Sequence, residues 1–299
     1  MASHPRARIP DAAPTGTSMR LTAAELGTTG GYSVSVPSPC IGFCRLDEVS
    51  GICIGCARSK VEIASWKDAP SATLERIWSE LPERRARLGI GLHRLSWNWD
   101  AIHAFIFDTF RTGAGTWVRG VFGAVAEFCI GPNEECEIIT DVSRISAESG
   151  RGAIRFDLTD QVRALAMTTT FGTVTKEVVV LAVPRGHVSQ PANKGLTALG
   201  RDQHAIRSHE REDWLYDFGL GARAAAFCIR TSDPDLTREL DNCIGQEWAD
   251  LLAKHGGRLV QVSPSRVVLS PIGRIEVLRG LHFGDSASGL AAAVGERLL

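Results

Sequence analysis

Hydrophobic residues recur at helical spacing in several stretches of the chain. From Ser71 onward, apolar side chains fall at i, i+3, i+4 and i+7, which places them on one face of a helix. Pro82 interrupts this stripe and suits the first turn of a basic helix that continues it to Leu88. The stripe consists of Leu74, Ile77, Trp78 and Leu81.

Three more helices are predicted. A short one begins at Ser59, where Ser59 and Glu62 match a capping box, and ends near Lys67. The same periodicity predicts longer helices from Trp97 to Phe110 and from Asp235 to His255. The apolar positions of these two are Ile102, Phe105, Ile106 and Phe110 in the first, and Leu236, Leu240, Ile244, Trp248 and Leu251 in the second.

Short strand-like runs dominate the rest of the chain beyond Trp117. They are separated by turn signals such as PNE and ESGRG, and they do not alternate with helices in a regular βαβ rhythm. This pattern predicts an α+β fold with a mainly antiparallel sheet. The predicted strands are GVFGAVAEFCI, CEIITDVSRIS, GAIRFDL, VRALAM, EVVVLAVP, GRLVQV, RVVLS and GRIEVLRG.

The change in pattern along the chain predicts three parts. Residues 1–35 are rich in Ala, Pro, Thr, Ser and Gly and are expected to be a mobile leader. Residues 36–90 form a small module with four cysteines and short helices. Residues 95–299 form the larger α+β domain. A module of that size buries little surface, so a bound metal would supply stability that its core lacks.

Composition excludes several classes of function. The chain has 299 residues and a formal net charge of -1, so no global field favours nucleic acid or an anionic membrane. No apolar run approaches the roughly 18 to 20 residues of a membrane-spanning helix. The first twenty residues lack the apolar core of a secretory signal, and we therefore expect a cytoplasmic protein.

Four of the eight cysteines fall between Ser38 and Cys56, in the stretch SPCIGFCRLDEVSGICIGC. The spacing C-x3-C-x8-C-x2-C forms two thiol pairs joined by a short loop. Such pairs can converge on one metal ion or one iron-sulfur cluster, because both prefer four soft sulfur ligands. In a reducing compartment a metal is favoured over disulfides. The candidate ligands are Cys40, Cys44, Cys53 and Cys56.

Residues 38–88 resemble a small bacterial family catalogued as domain of unknown function 1289. The resemblance lies in SPC-I-x-x-C, the C-x-G-C pair, the EIxxW helix and the final LPxR, all in order. Members are described as predicted iron-sulfur proteins, so the resemblance implies a cysteine-ligated centre and no particular reaction. The residues leave zinc and an iron-sulfur cluster both open, with four metal-free thiols as the third alternative; the family label favours iron-sulfur.

Residues 113–277 resemble a second family, an uncharacterised proteobacterial domain. The pieces that carry it include LTALGRDQHAIR, LYDFGLG, FCIRTSDPDL and SPSRVVLSPIGRIEV. No activity is implied. After GRIEV the family continues with a proline-rich, histidine-containing segment, whereas this chain runs LRGLHFGDSASGLAAAVGERLL, which puts any role of that histidine motif in doubt here.

Other polar features of the larger part favour structural interpretations. The run His204, Arg207, His209, Glu210, Glu212, Asp213 and Asp217 offers acids, bases or ligands, but a solvated loop would look the same and is favoured. Cys129, Cys136, Cys228 and Cys243 are expected to be buried apolar cysteines. His187 and His282 are isolated. The basic residues Arg84, Arg85, Arg87 and Arg94 could contact a phosphate backbone, although nearby glutamates weaken that interpretation.

Two hypotheses about function follow. In the first, the chain is a metal- or iron-sulfur-binding accessory protein with a role in electron transfer, assembly or interaction, and it acts on a protein partner. In the second, the larger domain is an enzyme of unknown reaction, and the cysteine module is its structural zinc site or electron-transfer partner. Nucleic acid and membrane partners are not expected.

Overall fold

The computed structural model describes residues 36–121, 123–171, 173–183, 194–222, 224–262 and 264–278. The predicted leader, His187 and His282 lie outside these residues. The described residues pack as one unit. The division between a module and a larger domain stays a prediction.

Five helices and thirteen strands are formed within these ranges. The helices are α1 (Lys60–Ser65), α2 (Ser71–Leu88), α3 (Trp99–Thr112), α4 (Pro234–Asp241) and α5 (Trp248–Gln261). The strands are β1 (Leu92–Arg94), β2 (Trp117–Val121), β3 (Ala124–Phe128), β4 (Cys136–Thr140), β5 (Arg144–Ser149), β6 (Gly152–Asp157), β7 (Arg163–Phe171), β8 (Val174–Ala182), β9 (Thr197–Arg201), β10 (Trp214–Asp217), β11 (Ala226–Thr231), β12 (Ser265–Ser270) and β13 (Gly273–Val277). A short 3-10 helix covers Ser208–Glu212.

The central element is an eight-stranded antiparallel sheet in the order β4-β5-β6-β13-β12-β11-β10-β9. A second sheet has the order β1-β7-β8, and β2 pairs with β3 as a separate hairpin. All of these pairings are antiparallel. The predicted α+β class with a mainly antiparallel sheet is therefore confirmed.

The two faces of the large sheet differ in chemistry, because successive strand residues point to opposite sides. One face carries Ile154, Ile229 and Ile275, which join the main core together with apolar residues of α3, α4 and α5. The opposite face carries Arg230 and Arg274 beside a small apolar cluster. The segment from Asp202 to Glu212 covers this second face through ion pairs.

Four predicted elements were wrong. The predicted strands GVFGAVAEFCI and CEIITDVSRIS each extend over parts of two strands, β2 and β3 in the first and β4 and β5 in the second. The other two errors lie around residues 235–262. The predicted helix from Asp235 to His255 is split into α4 and α5, because the chain turns at Gly245, which has a φ of 84° that favours glycine. Ile244 and Trp248 are consequently exposed rather than buried. The predicted strand GRLVQV is instead mostly the end of α5, where buried Leu259 continues the helical face.

Most other helix predictions were confirmed. The capping box at Ser59 is complete, and α2 buries the predicted Leu74, Ile77 and Leu81. Pro82 lies inside one continuous helix rather than separating two. No helix among the described residues is long and apolar enough to cross a membrane.

Candidate metal centre

A small hairpin brings the two halves of the cysteine stretch together. Leu46 pairs with Cys53 as an antiparallel bridge, and the amide of Ile54 donates to the carbonyl of Arg45 at 2.9 Å. The Asp47 carboxylate closes the turn by accepting from the amide of Ser50 at 2.8 Å. The eight residues between the two thiol pairs therefore form a hairpin that places Cys44 beside Cys53.

A tight second turn carries Cys53 and Cys56. The amide of Ala57 donates to the carbonyl of Cys53 at 2.7 Å, and Ala57 has a positive φ of 63°. A Cβ at Gly55 would overlap the backbone carbonyl of Phe43, so only glycine lets the two cysteine turns approach this closely. The glycine inside the C-x-G-C pair thus has a specific packing role.

The sulfur atoms approach one another but are not all in ligating positions. The Sγ atoms of Cys44 and Cys53 lie 4.0 Å apart. In a tetrahedral site with metal-sulfur bonds of about 2.3 Å, neighbouring sulfurs lie about 3.8 Å apart, so this pair matches one edge. No three His, Cys, Asp or Glu side chains in the described part of the chain converge as ligands of one ion. The Cys44–Cys53 pair is therefore the part of a four-sulfur site that the fold itself sets.

The electrostatics of the four thiols are coupled. The pKa of Cys44 is raised, first by negative charge at Cys53 and also by Cys56 and Cys40. Burial alone would raise the pKa of Cys53, but the nearby backbone amides of Gly55, Cys56 and Arg45 favour the thiolate and bring the pKa below its ordinary value. Amides that stabilise a thiolate in this way prepare Cys53 to bind a metal.

Exposure differs sharply between the four cysteines. Cys53 and Cys56 are buried, Cys40 is half-buried, and Cys44 is exposed. The side chains of Phe43 and Leu46 next to Cys44 are also exposed. A centre held by these residues would therefore reach the surface at Cys44.

Helices α1 and α2 support the cysteine turns from behind. Glu62, in the capping box of α1, accepts two hydrogen bonds from Arg84 of α2, at 2.7 and 3.0 Å. Ala57, Ile77 and Leu81 form a buried cluster that is separate from the main core. The turn that follows Cys56 is thus fixed to both helices.

Two buried arginines belong to the part of the chain that surrounds the cysteine turns. Arg58 is 3% exposed, and its Nε lies 3.4 Å from the sulfur of Cys56. Arg85 is 8% exposed, and its Nε and Nη2 have no hydrogen-bond partner in the described residues. Their guanidinium groups lie 4.5 Å and 5.6 Å from the ring centroids of Trp66 and Trp78, respectively.

A third arginine links the larger part of the chain to the cysteine stretch. Arg94, on β1, donates to the carbonyl of Ser38 at 2.7 Å. Burial lowers its pKa to about 10, and the charge of Arg163 acts in the same direction while Cys40 opposes it. Because β1 pairs with β7, this contact connects the Cys40 turn to the three-stranded sheet.

These positions change the interpretation of the basic residues near α2. Arg84 is paired with Glu62 and Glu80, and Arg85 is buried, which leaves Arg87 as the exposed cation at the end of α2. From the sequence we considered these arginines as a possible phosphate-binding surface. We did not predict that they lie in the part of the chain that supports the cysteine turns. The helical spacing of Ile77, Leu81 and Arg85, four residues apart each time, was the available signal that Arg85 faces the module core.

The polar run from His204 to Asp217 is only in part the solvated loop that we expected, with His204, His209 and Glu212 exposed. Arg207 and Glu210 are buried, and Arg230 pairs with Asp202 at 2.9 Å and with Glu276 at 2.7 Å. The network also includes contacts of Arg230 with Glu210, of Arg274 with Asp202 and Glu276, and of Arg207 with Glu148. Each charged group in this network has a partner of opposite charge within the protein, and we interpret these ion pairs as the interactions that hold residues 202–212 on the sheet.

An open cleft of about 870 Å³ lies next to this network. Its lining includes Glu134, Glu135, Glu137 and Glu148 together with Arg207. The guanidinium Nε of Arg207 lies 2.7 Å from a carboxylate oxygen of Glu148, so the cation of the cleft is already paired.

The remaining cysteines do not join the centre. Cys129, Cys136, Cys228 and Cys243 are all free thiols, and the last two are buried. Burial raises the pKa of the Cys228 thiol well above its ordinary value, as expected of an apolar cysteine. Cys129 and Cys136 are only half-buried, so the expectation of burial was wrong for these two.

Two family models match the chain. One, described as a family of unknown function (DUF6925), matches residues 101–299; the other, described as a protein of unknown function (DUF1289), matches residues 38–85. Both resemblances seen in the sequence are confirmed, and the first of these matches extends to the last residue. No curated protein matches the chain. No solved structure matches it.

Proposed function

The chain belongs to the family of unknown function DUF6925, and on this premise we propose that it is a metal- or iron-sulfur-binding accessory protein. Its centre is held by Cys40, Cys44, Cys53 and Cys56. The observation that carries the proposal is the 4.0 Å separation of the Cys44 and Cys53 sulfurs, with backbone amides that favour a thiolate at Cys53. Bound there, zinc would supply a structural cross-link and an iron-sulfur cluster a one-electron carrier.

The exposure of the residues around the centre suits contact with another protein. Cys44 is exposed and lies beside the exposed apolar side chain of Phe43, whereas Cys53 and Cys56 are buried. One edge of the centre is therefore accessible while the opposite edge is held rigidly. We propose a protein partner that contacts the Cys44 edge, in an electron-transfer, assembly or interaction role, and a cytoplasmic location that keeps the thiols reduced.

Anaerobic purification followed by metal analysis and a visible spectrum tests this proposal. We expect either zinc with no visible absorption, or iron and sulfide with absorption that changes reversibly on reduction. The second result supports electron transfer, and the first supports a structural role in interaction. Protein that carries neither metal, even after reconstitution with zinc or with ferrous iron and sulfide, overturns the proposal.

An enzymatic role of the larger part is the alternative, and the open cleft beside Arg207 is the observation in its favour. Its test is thermal denaturation of the full chain with a panel of cationic and amine metabolites, which suit a lining rich in glutamate. A rise in the melting temperature that Glu148→Gln abolishes would favour this alternative. No rise with any compound would remove its support.

A further inference from the structure

The five most buried arginines among the described residues fall into two groups. Among the described residues, Arg207, Arg230 and Arg274 are buried beside carboxylates and form ion pairs with them. Arg58 and Arg85 are buried equally well but form no ion pair with a carboxylate in the described part of the chain. Arg58 contacts the sulfur of Cys56, and Arg85 lies on the face of α2 that packs against Ala57, the next residue in the chain.

An arginine buried without an anion is strongly unfavourable, because the guanidinium loses its hydration and gains no countercharge. Contact with the ring of Trp78 compensates Arg85 only in part. Its Nε and Nη2 are left without any hydrogen-bond acceptor among the described residues. The sequence therefore retains a buried cation that the polypeptide itself does not neutralise.

Arg85 lies one helical turn beyond Leu81, which packs against Ala57, the residue that follows Cys56. A negative charge at Cys56 would favour the charged guanidinium against the effect of burial. Reduced thiols and disulfides are both neutral and would leave Arg85 uncompensated. Four thiolates around a divalent ion carry two negative charges in excess, which is the charge that Arg58 and Arg85 together would balance. Arg94, which is half-buried, is a further cation near the cysteines, close to Cys40.

We infer that Arg85 is the countercharge of an anionic four-thiolate centre, a positioning residue without which the protein does not retain its metal. This inference rests on the proposed function. Its physical basis is that two buried groups of opposite charge, the guanidinium and the four-thiolate centre, stabilise each other. The centre is stabilised by the guanidinium, and the guanidinium is tolerated in the module core only when the centre is present.

Replacing Arg85 should therefore have opposite effects on the metal-bound and the metal-free protein. In the metal-bound protein, Arg85→Met removes the countercharge, and we expect metal release to a chelator to become roughly 10- to 100-fold faster. In the metal-free protein the same substitution removes an uncompensated buried cation, and we expect the melting temperature to rise by roughly 2–4 °C. A purely structural role of Arg85 would lower both stabilities.

The experiment uses the full chain as wild type, Arg85→Met, Arg85→Lys and Arg87→Met. Arg87 is exposed on the same helix and serves as the matched control. Release of zinc, or of iron, to a coloured chelator is followed in time, and the metal-free proteins are then melted. We expect Arg85→Lys, which keeps the charge, and Arg87→Met to release metal within about threefold of wild type. Arg85→Gln replaces Arg85→Met if the latter does not fold.

The inference is overturned if Arg85→Met retains metal as wild type does, or if it lowers the melting temperature of the metal-free protein as well. It is also overturned if Arg85→Lys releases metal as fast as Arg85→Met, because charge would then not be the cause. A wild-type protein that binds no metal overturns the proposed function itself. In the first three outcomes the wild-type protein still binds metal. A failure of the inference about Arg85 can therefore be told apart from a failure of the proposed function.

Discussion

Glu62 and Arg84 form a two-point ion pair that joins the short helix behind the cysteines to the long helix α2. Glu62 also accepts from the amide of Ser59 at 2.8 Å, which completes the capping box of α1. Arg84 further lies 3.4 Å from the carbonyl of Ala57, the residue that follows Cys56. One carboxylate and one guanidinium thus fix the orientation of the turn that carries two candidate ligands.

Glu62→Gln should lower the free energy of unfolding of the module by about 1–3 kcal/mol, because the variant weakens both the ion pair and the helix cap. Burial alone would raise the pKa of Glu62, but its bonds with Arg84 hold the pKa below the ordinary value. The contribution of ionised Glu62 to the free energy of unfolding is therefore present above about pH 4.3. It is lost as the pH falls through the lowered pKa of Glu62 in the folded state.

Denaturant unfolding of wild type, Glu62→Gln and Glu75→Gln at several pH values measures this effect. Glu75 is exposed on α2 and is the matched control, expected to change stability by less than about 0.5 kcal/mol. The difference between wild type and Glu62→Gln should shrink on acidification. A difference that is independent of pH would contradict the role given to the ion pair.

Cys53→Ser should remove the metal and unfold the module while the larger part of the chain stays folded. Nearby backbone amides lower the pKa of Cys53, and its sulfur lies 4.0 Å from that of Cys44, so it is the candidate ligand with the most support from its surroundings. Cys136→Ser changes a half-buried cysteine outside the centre and serves as the control. Metal content and two-step thermal melting are the measurements.

Metal content equal to wild type in Cys53→Ser would contradict the assignment of this ligand. A single transition in which everything melts together would contradict a separation between the module and the larger domain near residue 90. The contact of Arg94 with Ser38 and the pairing of β1 with β7 are the interactions that would transmit such coupling.

The buried charge network on the sheet should be costly to break. Arg230→Met leaves the carboxylates of Asp202, Glu210 and Glu276 without one of their cations, and we expect a loss of about 3–5 kcal/mol in the free energy of unfolding. Arg238→Met is the control, since Arg238 pairs with Asp235 in an exposed contact. That pair should contribute less than about 1 kcal/mol. Equal losses in urea unfolding would contradict the structural role of the network.

Two glycines should respond to alanine with opposite signs. Gly273 has a φ of 129°, and a Cβ there would overlap the carbonyl of Arg155, so Gly273→Ala should destabilise by at least about 2 kcal/mol. Gly256 lies inside α5 with no atom within 4 Å of a built Cβ, so Gly256→Ala should stabilise by about 0.5–1 kcal/mol. Melting temperatures of both variants are the test, and shifts of the same sign would contradict it.

The module could be predicted closely from sequence because its signals are local. The capping box at Ser59 and the apolar stripe of α2 each depend on residues within one or two helical turns. The four-cysteine spacing is equally local. Metal binding stays a prediction, and the residues do not choose between zinc and an iron-sulfur cluster, since both centres use the same sulfur ligands.

The charge pairs could not be predicted, because they join residues far apart in the chain. Arg230 meets Asp202 and Glu276 only after β11 and β13 are placed in one sheet, and the sequence alone made the acidic run look solvated. The break between α4 and α5 was missed for a related reason. The apolar spacing continues across Gly245, while the turn there depends on the bond from the Gly245 amide to the carbonyl of distant Leu196, at 2.9 Å.

X-ray absorption at the metal edge of the full chain, purified anaerobically, tests the four-cysteine centre most directly. Our account predicts a first shell of four sulfur atoms at about 2.3 Å with no nitrogen or oxygen ligands, and loss of one sulfur or of the metal in Cys53→Ser. A zinc site shows no second metal neighbour, whereas an iron-sulfur cluster does. A first shell that contains nitrogen or oxygen, or wild-type protein without metal, would contradict the assignment of Cys40, Cys44, Cys53 and Cys56 as the ligands.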